Sequence, residues 1–195
     1  WADGRPDALD VRDRHPYEEV VADLRARPER FGRSLLCSGV TAAFDVGGYP
    51  WTLALPERFE PASDVPRLAA AGPLLSTLDH WLNLPGERQF LYLTDPESAR
   101  AGTRYLHAQG ADAVKVWFIR TQERSLAEMS ESVRAAGEEA RRLGVPLIVH
   151  ATGLQEAKEA LRAGAKLLVH SVTDQTVDQE FLQLARDAGA VYCPT

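Results

Sequence analysis

Two cysteines in 195 residues, Cys37 and Cys193, are too few and too isolated for a disulfide framework or a thiolate metal site. Both read as buried structural thiols. No apolar run approaches the roughly 20 residues that a membrane-spanning helix needs. Clustered basic residues are missing too. The net charge is −6, and acids and bases interleave as in 138-EEARR-142, so a phosphate-neutralising surface for nucleic acid is excluded. The start, 1-WADGRPDALD-10, has neither the basic nor the apolar part of a signal peptide. It also lacks an initiator methionine, so an upstream piece is expected to be missing. These absences leave a soluble globular chain with neither nucleic acid nor membrane among its expected partners. The compartment stays open, with the cytoplasm slightly favoured.

What is present is a repeated grammar: an amphipathic stretch, a glycine, then a short apolar run. It appears as 107-HAQG-110 before 113-AVKVWF-118, as 141-RRLG-144 before 145-VPLIV-149, as 162-RAG-164 before 167-LLV-169, and as 186-RDAG-189 before 190-AVYC-193. A fainter copy is 36-LCSG-39 before 40-VTAAFDV-46. A glycine closing a helix supplies the left-handed residue that other side chains adopt only under strain. Short, continuously apolar runs with β-branched residues fit parallel strands buried on both faces. Helix starts agree: Asp95, Pro96 and Glu97 offer an N-cap, a first-turn proline and an acid. Ser125 with Glu128, and Thr152 with Gln155, have capping-box spacing. Leu126, Met129, Val133, Ala136, Ala140 and Leu143 form a helical stripe for core packing.

The chain therefore reads as a helix over about 16–36, strands at 40–46 and 72–77, then four more strands alternating with helices. A Pro-rich excursion, residues 47–66, reads as a long loop with little regular structure. Such βαβ repetition leaves a TIM barrel or a doubly wound open sheet. No Gly-x-Gly-x-x-Gly loop follows the first strand, since 46-VGGY-49 lacks the spacing, and the barrel is favoured. A full barrel takes about 250 residues. The expectation is one α/β domain over residues 1–195, with 1–36 as a leading segment and helix. With six strands counted, it is a (β/α)8 barrel that is incomplete.

In a barrel the side chains at the C-terminal ends of the strands share one mouth, where the chemistry is done. Two strands end in histidine, 145-VPLIVHAT-152 in His150 and 166-KLLVHSV-172 in His170. At equivalent positions on consecutive strands, two imidazoles come close enough to share a cation such as Zn²⁺. Lys115 lies between Val114 and Val116, where burying an unpaired ammonium is costly. It snorkels to the rim, pairs with a carboxylate such as Asp45, or is held neutral by desolvation and nearby cations. Tyr49, Trp51, Trp81 and Trp117 follow strand ends and would line an aromatic pocket. His80, in 79-DHW-81, is a candidate hydrogen-bonder to substrate. His107 reads as helix surface, His15 as no part of a site, and Asp174 as the cap of the next helix.

With Lys115 on one strand and His150 and His170 closing the next two, the pattern resembles the metal-dependent amidohydrolase superfamily. The stretches 39-GVTAAFDVGG-48, 111-ADAVKVWF-118, 148-IVHAT-152, 168-LVHSVTDQ-175 and 190-AVYCPT-195 are similar to its imidazolonepropionase-like and Xaa-Pro-dipeptidase-like branch. The resemblance implies a hydrolase whose metals activate water against an amide or cyclic-amide C–N bond. It implies a metal set of Lys115, His150 and His170, with one or two divalent ions, zinc foremost, and carboxylated Lys115 as the bridge. It implies a small-molecule amide substrate, contacts from His80, Trp81, Trp117 and Tyr49, and a homo-oligomer as a possible assembly.

The sequence departs from that family by having no His-x-His pair, which the family carries on its first barrel strand. The family's proton-shuttle aspartate, on its last strand, would fall beyond Thr195. The resemblance thus implies an internal portion of an active longer enzyme, with about strands 2 to 7 present and strands 1 and 8 missing, catalytically incomplete alone. A non-catalytic barrel relative binding a small ligand in the same mouth is the alternative. A metal-free phosphate-binding barrel ranks last, because 171-SVTDQ-175 has no glycine.

Overall fold

Strand ends and helix caps fix this architecture. In the computed structural model, residue 14 and residues 16–79 and 88–195 are described. The described residues fall into two compact units. One takes the residues up to Ala43 together with Ala54–Leu68; the other takes Phe44–Leu53 and Ala69–Thr195.

In the first unit, the single helix expected over 16–36 is two, α1 (Tyr17–Ala26) and α2 (Pro28–Cys37). Pro28 has no N–H to continue the ladder, and Arg27 leaves the helical region at φ −136° and ψ 50°, so the chain restarts with proline in the first turn. Gly32 of α2 lets the helix approach Val65 and Phe59, whose side chains lie 2.7 and 2.9 Å from where a Cβ would stand. The excursion 47–66 is more regular than expected: it holds a 3-10 turn (Pro50–Ala54) and a short helix α3 (Leu55–Phe59). Two short strands, β1 (Ala42–Asp45) and β2 (Arg67–Ala70), pair as a two-stranded sheet.

The second unit is built on six parallel strands: β3 (Leu74–Ser76), β4 (Phe90–Tyr92), β5 (Val114–Trp117), β6 (Leu147–His150), β7 (Leu167–Val169) and β8 (Val191–Cys193). Their order is β4-β3-β5-β6-β7-β8. The helices between them are α4 (Pro96–Ala108), α5 (Leu126–Leu143), α6 (Leu154–Arg162) and α7 (Gln179–Ala188). Strands β2 and β4, four and three residues long, are additions to what the sequence predicts.

Caps follow the sequence closely. Asp95 and Ser125 each accept from the third helical N–H in reciprocal capping boxes, and Gly144 and Gly189 close α5 and α7 in the left-handed region. The exception is α6. Its N-cap is Gly153 without a side-chain bond, and neither Thr152 nor Gln155 forms the expected box. Asp174 supplies the missing acceptor from the loop after β7, taking the Leu154 N–H at 2.9 Å. It therefore caps the preceding helix, while Asp178 caps α7.

Register divides the sheet into two faces. Leu75, Val114, Val116, Leu147, Val149 and Leu168 pack against α4 to α7, in a core with Leu106, Met129, Val133, Leu161 and Phe181. Each fully buried side chain of this size contributes about 1.5–3 kcal/mol. The fit is close: a Cβ on Gly137 of α5 would stand 2.0 Å from the Ala163 carbonyl oxygen. The opposite face carries a smaller apolar cluster of Ala113, Ile148 and Val169 with Val46 and Leu167. The cysteines are not buried as expected. Cys37 ends α2 and Cys193 lies on the edge strand β8; both are free and exposed.

Candidate functional site

Parallel register carries chemistry to the face away from the helices. Lys115 pairs with Ile148 and Trp117 with His150, and His150 pairs with Val169. Side chains of paired residues share a face, so Lys115, Trp117 and His150 stand together with Ile148 and Val169. His170 follows Val169, and a continued strand would turn its side chain toward the helices. It does not continue. His170 is the one non-glycine among the described residues with positive φ, at 78°, a conformation that stores strain and clusters at functional sites. Its ring stands edge-on to that of His150, with centroids 4.7 Å apart and planes at 70°. The histidines are thus offset by one residue in register, and a backbone bend restores the convergence that the sequence implied.

An aromatic wall borders the pair. Trp117 meets His150 edge-on at 5.5 Å and stacks on Phe90 at 5.0 Å. Phe90 belongs to β4, a strand not among those expected from sequence, although 90-FLYL-93 before the Asp95 cap is an apolar run of the right kind. The loop after β5 is held in place by Phe118 N–H to the His150 carbonyl at 3.0 Å and by Ile119 N–H to Thr77 Oγ1 at 2.9 Å.

Lys115 is 3% exposed. Burial pushes its ammonium down to about 8, against a smaller opposing pull from the Asp45 carboxylate. Among the described residues it forms no hydrogen bond or ion pair, so the pairing with Asp45 stays a longer-range attraction. Burial also drives His150 down to about 4, helped by the charges of His170 and Lys115. His170 is lowered by burial and then by Lys115. Around neutral pH both imidazoles are therefore uncharged and carry free lone pairs.

Of the residues singled out from sequence, the structure brings together Lys115, Trp117, His150 and His170. Tyr49 is buried in the turn after Asp45, where its carbonyl accepts from Thr52 N and Oγ1 at 3.0 and 2.9 Å. Trp51 has a buried indole Nε1 with no hydrogen-bond partner among the described residues. His80 and Trp81 lie outside the described residues. Among the described residues no three His, Cys, Asp or Glu side chains cluster to hold a metal ion by themselves. Thr195, whose Oγ1 is 2.7 Å from His170 Nδ1, has no counterpart in the sequence reading.

No family model matches the chain, and no curated protein matches it by sequence. Solved structures do. A putative prolidase from Bifidobacterium longum superposes with a TM-score of 0.67 at 26% identity, over 84% of this chain and 40% of its own. A. niger ochratoxinase gives 0.69 at 21% identity, over 97% of this chain and 48% of its own. A Xaa-Pro dipeptidase with methionine bound in its active site gives 0.62 at 21%, over 80% and 42%. The fold is thus α/β with mostly parallel strands, shared with part of the TIM-barrel-like amidohydrolases and prolidases. It spans less than half the length of each of these three. The likeness of the folds agrees with the resemblance read from the strand-end motifs.

Proposed function

We infer that this chain carries the metal-holding part of a hydrolase that cleaves an amide or cyclic-amide C–N bond. The observation that supports this reading is the convergence of two uncharged imidazoles, His150 and His170, on the face of the sheet that holds Lys115, a buried lysine without a hydrogen-bonding partner among the described residues. Those residues fit a divalent ion: neutral imidazole is a good donor to zinc and its neighbours. The chemistry such an ion supplies is Lewis-acid polarisation of a carbonyl and acidification of water. A third protein donor would be Lys115. As a neutral amine its Nζ attacks CO₂, an N–C bond forms and one proton leaves to solvent, giving an anionic carbamate. Burial favours that step by keeping a larger fraction of the amine uncharged than in water.

The remaining groups shape the substrate's surroundings. Trp117 stacked on Phe90 forms an apolar wall beside the imidazoles and excludes water from one side. Tyr49, His80 and Trp81 are proposed as further substrate contacts, and a small amide as the substrate. The prolidase, dipeptidase and ochratoxinase that share the fold agree with this class of reaction.

Elemental analysis of the purified protein, with His150→Ala and His170→Ala alongside, tests the assignment. About one or two equivalents of a divalent metal are expected in the parent protein, with a clear drop in each variant. Undiminished metal in both variants would sink the ligand set. Hydrolysis of prolyl dipeptides and N-acyl amino acids by the longest natural form of the protein tests the reaction class.

A further inference from the structure

His170 adopts a backbone conformation that strands do not favour, so something must hold it there. Strand β8 and its continuation supply most of the tethers. The His170 N–H donates to the Cys193 carbonyl at 3.0 Å, and the Val172 N–H donates to the Tyr192 hydroxyl at 2.7 Å. From the other side, the Thr173 N–H donates to the Thr152 carbonyl at 2.9 Å. These bonds fix the backbone but leave the ring free to rotate about its side-chain torsions. The contact that fixes the ring is Thr195 Oγ1, 2.7 Å from Nδ1. Its position follows from register: Cys193 pairs with Val169 on the imidazole face, and Thr195 lies two residues further along.

We propose that Thr195 is a positioning residue for His170: its hydroxyl accepts from Nδ1–H, selecting the tautomer whose Nε2 lone pair is free for a cation. The inference rests on the metal reading given above only for what Nε2 binds; the tautomer stands by itself. A hydrogen bond at one ring nitrogen decides which nitrogen carries the proton and aims the other. A histidine side chain free in water favours the opposite tautomer, with the proton on Nε2, so the assignment has a spectroscopic signature that a merely packed threonine would not produce.

The test compares the parent protein with Thr195→Val, which keeps the shape and loses the hydroxyl, and with Thr195→Ser, which restores it. In metal-free protein at neutral pH, ¹⁵N-detected imidazole spectra are expected to show His170 protonated on Nδ1 in the parent and the serine variant. In the valine variant the Nε2–H form should take over. Affinity for Zn²⁺, read by competition with a chromogenic chelator, should fall about 10- to 100-fold in the valine variant and stay within about threefold in the serine variant. An Nε2–H tautomer in the parent, or an unchanged tautomer in the valine variant, would overturn the proposal. If the parent takes up no Zn²⁺, the metal reading fails, and the tautomer comparison alone decides the role of Thr195.

Discussion

Two lysines in this protein are almost equally hidden, and they do opposite things. Lys158 of α6 is 4% exposed and Lys115 of β5 is 3% exposed. Lys158 ends against two carboxylates, Asp178 and Glu180, each 2.6 Å from Nζ, and those bonds raise its pKa. Its charge ties the start of α7 to α6 and costs little to keep. Lys115 has no such partner among the described residues, and burial pushes it down to about 8. The same contrast separates the two faces of the six-stranded sheet. The helix side is apolar and closely packed, with its buried charges paired. The imidazole side holds titratable groups whose hold on a proton burial has weakened. Groups held this way cost stability and gain reactivity.

Substitution should sharpen that contrast, most strongly at Lys115. Replacing it with Met removes the cost of burying an ammonium, and stability at pH 7 should rise by about 3 kcal/mol, read by urea unfolding. Lys158→Met should move the other way, lowering the urea midpoint, because Asp178 and Glu180 lose their partner. A stabilised Lys158→Met, or a destabilised Lys115→Met, would erase the distinction between them. The sign with pH follows from proton counting. Between pH 8 and 10.5 the unfolded chain still holds the Lys115 proton that the folded one has released. The stability of the parent should therefore climb across that window and the climb should vanish in Lys115→Met.

His150 gives the next largest effect. Its folded pKa of about 4 lies below the ordinary 6.5, so the unfolded chain binds the extra proton as pH falls between those values. Stability should drop by about 2 kcal/mol from pH 6.5 to 4, the partial exposure of the ring reducing the ideal figure, and the drop should shrink in His150→Phe. A flat profile over that range would place the ring in water. The smallest effect expected is at Asp174. Losing its bond to the Leu154 N–H should cost about 1 kcal/mol, the worth of a helix N-cap. In Asp174→Ala the Leu154 amide should exchange faster with solvent, and unchanged exchange would remove Asp174 from the cap.

Much of this site could be read in the residues. Lys115 between two valines, Trp117 two positions on, and histidines at the ends of the next two strands were visible because parallel strands deliver their C-terminal side chains to one mouth. The glycines at 110, 144, 164 and 189, and the caps at Asp95 and Ser125, marked most of the boundaries in this region. What was hidden came from tertiary context. Nothing in 166-KLLVHSV-172 announces that His170 is one residue out of register with His150, or that a left-handed bend corrects it. Three- and four-residue strands such as β4 and β2 carry too little periodicity to be seen alone. The cap of α6 comes from Asp174, twenty residues away, where local spacing pointed to Thr152. Cys37 and Cys193 followed their average burial less than their places at a helix end and on an edge strand.

The account rests most directly on the charge state of Lys115. A pH titration of its ε-carbon and Nζ resonances by NMR, assigned by their loss in Lys115→Met, measures it. A midpoint near 8 is the predicted result, and a midpoint near 10.5 would contradict it.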